Sequence, residues 1–297
     1  MDLRELAESD AHDSVKCDKE RATMSILADQ HIHSHHSGDS DESMERIADS
    51  AIAAGLKYLC FTEHMDFDYP PVDDPELTPD TFILDADPYK AEYLRIRDRY
   101  AGRIELMLGT EIGMQPHVAI ENRDFCRSLE PDLVIASIHV VKRRDPYYPS
   151  FYEGRSEEEA VAETLEETLE NIRLFDDFDV LGHMDYIIRY LPSRRKTVDM
   201  SAFSPVVDEI LKLLIRRGQG LDLNTAPLTR GFPHMHPSHY ILERYRDLGG
   251  RVITFGSDAH KCENVASCFD TAEKEARDCG FEEYCVFRSR KPEFIRF

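Results

Sequence analysis

The sequence predicts an α/β protein in which parallel strands and helices alternate around a barrel. Short apolar, β-branched runs recur between amphipathic segments along the 297 residues, and this alternation is typical of βα units. A single α/β barrel often fills a chain of this length. Residues of metal-ligating types directly follow most of the apolar runs, and the strand ends of a barrel meet at one face. This pattern favours a barrel over the alternative, a doubly wound open sheet.

Seven apolar runs are predicted to be barrel strands, and an eighth run follows near the end of the sequence. In chain order the strands are Ile26–Gln30, Tyr58–Thr62, Ile104–Leu108, Leu133–Ser137, Asp179–Gly182, Gly220–Leu223 and Arg251–Phe255, and the eighth run is Tyr284–Phe287. Runs of four or five residues fit strands better than helices. The sequence therefore supports a barrel that is complete or lacks one strand.

Helical periodicity fills the intervals between these runs. Gly55, Gly102, Gly218, Gly249 and Gly280 follow the periodic segments, where glycine commonly ends a helix. The most acidic helix is expected over about 156–177, with its charges on the solvated face. Residues 65–88 are rich in Pro and Asp with little periodicity, so they are expected to form a long loop after the second strand.

Acidic residues greatly outnumber basic ones. The chain has 58 Asp and Glu against 36 Lys and Arg, a formal net charge of −22. Nucleic acid and anionic membrane surfaces are bound through basic residues, so both partners are disfavoured. Because no signal pattern and no apolar run of about 18 residues occur, we expect a cytoplasmic protein. We expect residues 1–24 to be a polar extension and 25–297 to form a single barrel domain.

Histidine and carboxylate residues are concentrated at the predicted strand ends. His31 and His33 are separated by one residue on extended backbone, so both imidazoles point the same way and can bind one ion. Asp29 is positioned to orient one of these rings. Gathering many ionisable groups at one mouth is costly unless metal ions neutralise them. The later strands are followed by Glu63, His64, Glu111, His139, His183, Asn224, Asp258 and His260.

The donor types narrow the kind of metal centre. Imidazole and carboxylate without thiolate suit zinc, iron or manganese, and the seven Cys include no CxxC pair. The candidate ligands exceed what one tetrahedral ion needs, which favours two or three divalent ions. Such a centre activates water and stabilises a departing alkoxide, so the chemistry implied is ester hydrolysis. No P-loop, HExxH helix or thiol-phosphatase pattern is present.

Six ordered motifs resemble the PHP superfamily of metal-dependent phosphoesterases. They are DxHxH at Asp29–His33, TEH at Thr62–His64, GTEIG at Gly109–Gly113, SIH at Ser137–His139, GHMD at Gly182–Asp185 and GSDAH at Gly256–His260. Residues 109–117, 175–190 and 286–294 are similar to the histidinol-phosphatase branch. The resemblance covers nearly the whole chain from Asp29 onward, and an ordered set of motifs is far more specific than any one of them.

The resemblance implies a distorted (β/α)7 TIM-like barrel with its metal site at the C-terminal ends of the strands. It implies hydrolysis of L-histidinol phosphate to L-histidinol and phosphate in histidine biosynthesis, by attack of a metal-bridging hydroxide on phosphorus. Glu111, Asp258 and His260 are the implied catalytic residues. The implied ligands are His31, His33, Glu111 and Asp258 for a first ion, Glu111, His139 and His183 for a second, and Asp39, His64 and His260 for a third. Several relatives have His where this chain has Asp39.

Two arginines are predicted to bind the phosphate group. Arg189 follows the GHMD motif, and Arg230 lies in the loop after the sixth strand. The acidic surroundings disfavour binding of a phosphate dianion. A guanidinium overcomes this by holding the phosphate with paired, charge-assisted hydrogen bonds. The remaining histidines receive no ligand role. His234, His236 and His239 are expected in a loop before a helix capped by Ser238, and His35, His36 and His117 flank the motifs.

Three other functions stay open at this point. A phosphoesterase of the same superfamily could act on nucleotides or other small phosphate esters. A barrel amidohydrolase also opens with HxH, but typically bridges its metals with a carboxylated Lys after the fourth strand, where this chain has the SIH motif. Metal binding without catalysis is the third. The oligomeric state is not predicted.

Overall fold

Seven parallel strands follow one another around a barrel. The computed structural model describes residues 25–72, 74, 75 and 77–297, so the predicted extension lies outside the described residues. Each strand pairs in parallel with the next in chain order. The ring closes where Gln30 N donates to Phe255 O and Asp258 N donates to His31 O, both at 2.8 Å. The predicted seven-stranded barrel is thus confirmed. The strands are β1 (Ala28–Asp29), β2 (Tyr58–Met65), β3 (Glu105–Gly113), β4 (Leu133–Ser137), β5 (Val180–Leu181), β6 (Gly220–Asn224) and β7 (Ile253–Gly256).

Helices occupy the crossovers between the strands. The acidic helix predicted at about 156–177 is α4, and it begins with a capping box in which Ser156 and Glu159 each bond the other's backbone. Gly55 and Gly218 end α1 and α5 in the left-handed conformation that glycine adopts without strain. The helices are α1 (Met44–Ala54), α2 (Ala86–Tyr100), α3 (Ala119–Leu129), α4 (Glu157–Leu174), α5 (Ser204–Arg217), α6 (Ala226–Thr229), α7 (His239–Asp247) and α8 (Phe269–Asp278).

The core is continuous between the barrel and its helices. All five residues of β4 are buried, as expected for a parallel strand that helices cover from outside. Ile47 of α1 and Ile210 of α5 are fully or almost fully buried in the same core. Burial of such a side chain contributes about 1.5–3 kcal/mol. The apolar part of the sheet therefore supplies the rigid frame on which the polar strand ends are held.

The eighth apolar run belongs to a hairpin and not to the barrel. Strands β8 (Glu283–Arg288) and β9 (Lys291–Arg296) pair antiparallel. The turn between them reaches the residues that precede β4 and β5. Ser289 N donates to Asp132 Oδ1 at 2.8 Å, and Arg290 Nε donates to Asp179 Oδ2 at 2.5 Å. The hairpin thereby covers the end of the barrel opposite the histidine-rich strand ends.

Strands β2 and β3 extend several residues further than the sequence predicts, and this bears on the site. Strand β2 continues to Met65 and β3 to Gly113, so His64 and Glu111 lie within strands and not after them. The predicted long loop is present, because α2 begins only at Ala86. No helix in the described part of the chain is long and apolar enough to cross a membrane.

Candidate metal centre

The nine predicted ligands converge at the C-terminal ends of the strands, with Glu111 at their centre. Glu111 is fully buried, and its Oε1 atom accepts a hydrogen bond from Ser137 Oγ at 2.6 Å. Burial opposes the charged carboxylate, but the positive charges of His31 and His139 outweigh it and hold the pKa of Glu111 well below its ordinary value. Ring nitrogens of five histidines lie 2.9 to 3.5 Å from its two oxygens: His31, His33, His64, His139 and His183.

Asp258 is the second carboxylate of the centre and lies beside the HxH pair. Its Oδ1 atom is 3.7 Å from His31 Nε2 and 3.4 Å from His33 Nε2. Its backbone has φ of +52°, a left-handed conformation that Asp tolerates better than most residues. Asn224 Nδ2 donates to the other oxygen at 3.1 Å, so this carboxylate is held from the neighbouring strand.

Asp39 and His260 form the outer edge of the centre. Asp39 Oδ2 lies 3.1 Å from His260 Nε2 and 3.5 Å from His64 Nε2. The side chain of Asp39 is 41% exposed, whereas that of His64 is 10% exposed. Asp39 therefore meets the same two imidazoles that the family pattern places around a third ion, from the side that faces solvent.

The residues present fit a metal centre, as their unpaired buried atoms show. A buried ring nitrogen without a partner costs free energy, and a metal ion would satisfy it. Burial and the neighbouring rings of His64 and His260 lower the pKa of His33 to about 3, so this imidazole is neutral and its lone pair is free. Four buried ring nitrogens that face the centre make no well-formed hydrogen bond, although a carboxylate oxygen lies 2.9 to 3.4 Å from each: His31 Nε2, His33 Nε2, His64 Nδ1 and His260 Nε2.

Outer partners orient these rings, and sequence reasoning missed most of them. Asp222 Oδ2 lies 2.8 Å from His31 Nδ1, and Asp66 Oδ1 lies 2.8 Å from His139 Nδ1. Such partners fix the tautomer and direct the other nitrogen toward a metal. A signal for Asp222 did exist, since it lies two residues before Asn224 and so on the same face of β6.

The prediction that Asp29 orients an imidazole is wrong. Its carboxylate accepts hydrogen bonds from the backbone of Ser257 at 2.9 Å and of Ala266 at 3.0 Å, in the segment after β7. Burial raises the pKa of Asp29 to about 6. This residue therefore holds the loop that carries Asp258 and His260, and it touches no histidine ring.

Glu63 has a similar supporting role. Its carboxylate accepts from Ser34 Oγ and Ser37 Oγ, both at 2.6 Å. Ser37 Oγ in turn lies 3.1 Å from His33 Nδ1. Glu63 thus fastens the loop between His33 and Asp39. This role explains why Glu63 is buried although it is not one of the nine predicted ligands.

Motif glycines make room for this packing. A Cβ at Gly182 would overlap Ser137 Oγ, the donor to Glu111. A Cβ at Gly256 would overlap the Cβ of His31. The GHMD and GSDAH motifs therefore need glycine for close approach of neighbouring strands at the metal centre.

The two predicted arginines lie near each other beside the centre. The Arg189 side chain is 9% exposed, its NH1 atom is 4.0 Å from Asp258 Oδ2, and it stacks on the rings of Tyr186 and Tyr190 at 5.1 and 5.4 Å. Arg230 is exposed, and the positive charge of Arg189 is the main cause that lowers the pKa of Arg230. Two guanidinium groups this close repel each other, so the pair favours an anion between them.

The sequence predicts His236 as a loop residue without a role, but its ring is buried. Its Nδ1 atom lies 2.6 Å from Asp185 Oδ1. This contact lowers the pKa of Asp185 to about 2, although burial alone would raise it. Ser238 occupies the N-cap position of α7, as expected, but its side chain makes no capping bond, and its backbone N–H donates to Asp185. The aspartate of the GHMD motif thus fixes the loop after β6.

The fold and the centre together define a class, that of barrel enzymes with a histidine- and carboxylate-rich metal centre at the C-terminal ends of the strands. The model of the PHP domain matches residues 29–226, two thirds of this chain. The chain belongs to the PHP domain family.

Relatives in sequence share one name. The histidinol-phosphatase of Lactococcus lactis is 31% identical over 268 residues, which cover 89% of this chain and 95% of the relative. A probable histidinol-phosphatase of Clostridium acetobutylicum is 30% identical and covers 86% of this chain and 95% of its own length. The chain therefore spans nearly the full length of both.

Solved structures agree on the fold. The histidinol phosphate phosphatase of Lactococcus lactis, in complex with zinc, L-histidinol and phosphate, superposes with a TM-score of 0.80 at 30% identity, covering 90% of this chain and 98% of the other. A putative histidinol phosphatase of Listeria monocytogenes has a TM-score of 0.71 at 21% identity, covering 82% and 99%, and supports the fold alone.

Proposed function

We propose that this protein is a metal-dependent phosphomonoesterase that hydrolyses L-histidinol phosphate to L-histidinol and phosphate. The observation that carries the proposal is the shared carboxylate of Glu111, which five imidazoles surround within 3.5 Å. The relative from Lactococcus lactis, similar over nearly its whole length, was solved with zinc, L-histidinol and phosphate. We further propose a cytoplasmic place in histidine biosynthesis.

The ligand assignment is part of the proposal. His31, His33, Glu111 and Asp258 would hold a first ion. Glu111 would also serve a second ion together with His139 and His183, and Asp39, His64 and His260 would hold a third. Zinc, iron or manganese suits these donors, and the donor count supports two or three ions. Such ions supply an activated water and neutralise charge on the phosphate group.

The chain's own residues position the substrate. Arg189, packed against the rings of Tyr186 and Tyr190, presents its guanidinium beside Asp258 and next to the centre. Arg230 approaches from the exposed side. Together they would bind the phosphate oxygens that do not face the metal ions, by charge-assisted hydrogen bonds. Asp222 and Asp66 keep the imidazoles in the orientation that leaves Nε2 directed inward.

Overall charge restricts the substrate to small phosphate esters. A net charge of −22 repels polyanions at long range. At the mouth, bound divalent ions and the two arginines offset this field locally. The alternative substrate class, nucleotides or other small phosphate esters, shares these requirements and is separated from L-histidinol phosphate only by the leaving group.

The test measures phosphate release from L-histidinol phosphate, AMP and an aryl phosphate, with metal analysis of the same preparation. We expect rapid release from L-histidinol phosphate alone, and near-complete loss of release and of bound metal in His33→Ala. His117→Ala is the matched control, because His117 is an exposed histidine bound to Asp68 and Arg143. Faster release from AMP would favour the alternative, and metal without hydrolysis of any ester would contradict the proposal.

A further inference from the structure

A second group of imidazole and carboxylate side chains lies outside the metal centre. His35 and His36, which follow β1, approach Glu92 on α2. Glu92 Oε2 is 3.3 Å from His35 Nε2 and 3.0 Å from His36 Nε2. One donor atom from each of the three residues lies within 4.8 Å of the other two. None of the three belongs to the nine residues assigned to the centre.

The two separations from Glu92 Oε2 to the imidazoles match those of ligands bound to one ion. Two ligands bound at about 2.0–2.1 Å in tetrahedral geometry are roughly 3.3 Å apart, close to both measured separations. The two rings lie with their centroids 4.4 Å apart. Adjacent histidines on a tight loop thus direct both Nε2 atoms to a single carboxylate oxygen.

The backbone and the surroundings hold this arrangement. His35 N donates to Glu42 O at 2.7 Å, and the ring of His36 packs edge-on against Tyr89 at 5.4 Å. Arg95 binds the other oxygen of Glu92 at 3.1 Å, which leaves Oε2 to the imidazoles. A site formed from elements already fixed costs little conformational entropy when it binds an ion.

This group is more exposed than the inner histidines of the metal centre, since the side chains of His31 and His33 are fully buried. The side chain of His35 is 40% exposed, that of Glu92 is 20% exposed and that of His36 is 11% exposed. Three protein ligands on an accessible surface leave a fourth position open to water. The group therefore suits an ion that exchanges with solvent.

We propose that His35, His36 and Glu92 form a peripheral site for one divalent transition ion of the zinc class. The ion would join the loop after β1 to α2. The same loop carries His33 at its start and Asp39 at its end, so an ion there would stiffen the segment that presents both residues to the centre. The proposal does not depend on the substrate assigned above.

The test counts zinc bound by the metal-stripped full chain after equilibrium dialysis at increasing free zinc. We expect wild type to bind one more equivalent than Glu92→Gln and than His36→Ala, with phosphate release retained in both. The control His117→Ala should bind as many equivalents as wild type. Cobalt, which reports its ligands by absorption, should lose one spectral component in the same two variants.

Equal zinc stoichiometry in wild type and in both variants would overturn the proposal and leave a histidine–glutamate ion pair. Glu92→Gln is the milder change, because it keeps the shape of a partly exposed side chain, so it reports on the site even if His36→Ala fails to fold. His33→Ala should show the opposite pattern, losing ions of the centre and keeping the peripheral one. Failure of the peripheral site is therefore distinguishable from failure of the proposed function.

Discussion

The two ends of the barrel differ in how their buried polar atoms are paired. At the catalytic end, buried ring nitrogens of His31, His33 and His64 make no well-formed hydrogen bond. At the opposite end, Asp132 accepts from the backbone of Leu108 and Ser289, and Asp179 accepts from Val134 and Arg290. One end leaves buried atoms free for a ligand, and the other pairs them within the chain.

This difference predicts that residues at one end serve function and residues at the other end serve stability. Unpaired buried polar groups destabilise a fold and persist where a ligand satisfies them. Paired groups at the far end fasten the C-terminal hairpin to the barrel. We therefore expect substitutions at the first end to act on turnover and metal binding, and those at the second end to act on the free energy of unfolding.

The largest effect should come from the shared carboxylate. Glu111→Gln keeps the shape but removes the charge that two ions would share, so phosphate release should fall by about 10³-fold or more. Bound metal should fall with it, as measured by metal analysis. Glu121→Gln, on the exposed surface of α3, is the control and should change neither. Retained turnover in Glu111→Gln would contradict the expectation that the catalytic end determines turnover.

Asp222→Asn should have the next largest effect. Loss of the carboxylate behind His31 leaves the ring less firmly oriented, and such outer partners are typically worth about 10–100-fold in metal affinity or activity. The measurement is metal affinity by competition with a chelator, alongside kcat. Asp124→Asn, an exposed carboxylate on α3, should leave both unchanged. Unaltered metal affinity in Asp222→Asn would show that packing alone orients His31.

Arg290→Ala tests the opposite end. It removes the ion pairs to Asp177 and to the buried Asp179, and we expect the free energy of unfolding to fall by about 3 kcal/mol. Denaturant titration measures the loss. Turnover of the folded variant should equal that of wild type. Arg296→Ala, an exposed arginine of β9, is the control. A drop in kcat for Arg290→Ala would mean that the two ends are coupled.

The smallest effect concerns pH. Burial raises the pKa of Asp179 to about 6, so between the unfolded and folded pKa values the folded state holds a proton that the unfolded state lacks. This group's contribution therefore falls as pH rises, by about 2 kcal/mol between about pH 4.5 and 6.5. In denaturant titrations across this pH range, Asp179→Asn should lack the pH-dependent contribution of Asp179 to the free energy of unfolding. An identical slope in variant and wild type would contradict it.

The sequence predicted the fold and the convergence of the candidate ligands well, because both follow from local patterns. Strand and helix periodicities identified seven βα units, and polar residues at strand ends identified Glu111 and Asp258. The largest boundary errors are at β2 and β3, which extend to His64 and Glu111 through pairing with each other, and no local pattern reveals that pairing.

Relations between distant side chains could not be predicted in the same way. Asp29 is adjacent to the HxH motif but bonds the backbone after β7, whereas the partner of His31 is Asp222, 191 residues away. His35 and His36 receive no ligand role from the sequence, because they flank a motif without fitting one ligand direction. Glu92, more than 50 residues later, supplies the carboxylate that they share.

The sequence by itself determined which residue types stand at the strand ends and in which order, and so the family, the barrel and the class of chemistry. Only the tertiary structure decided how those side chains are paired. The physical reason is that secondary structure depends on spacing along the chain, whereas hydrogen bonds, desolvation and metal ligation depend on atoms that closure of the barrel brings together.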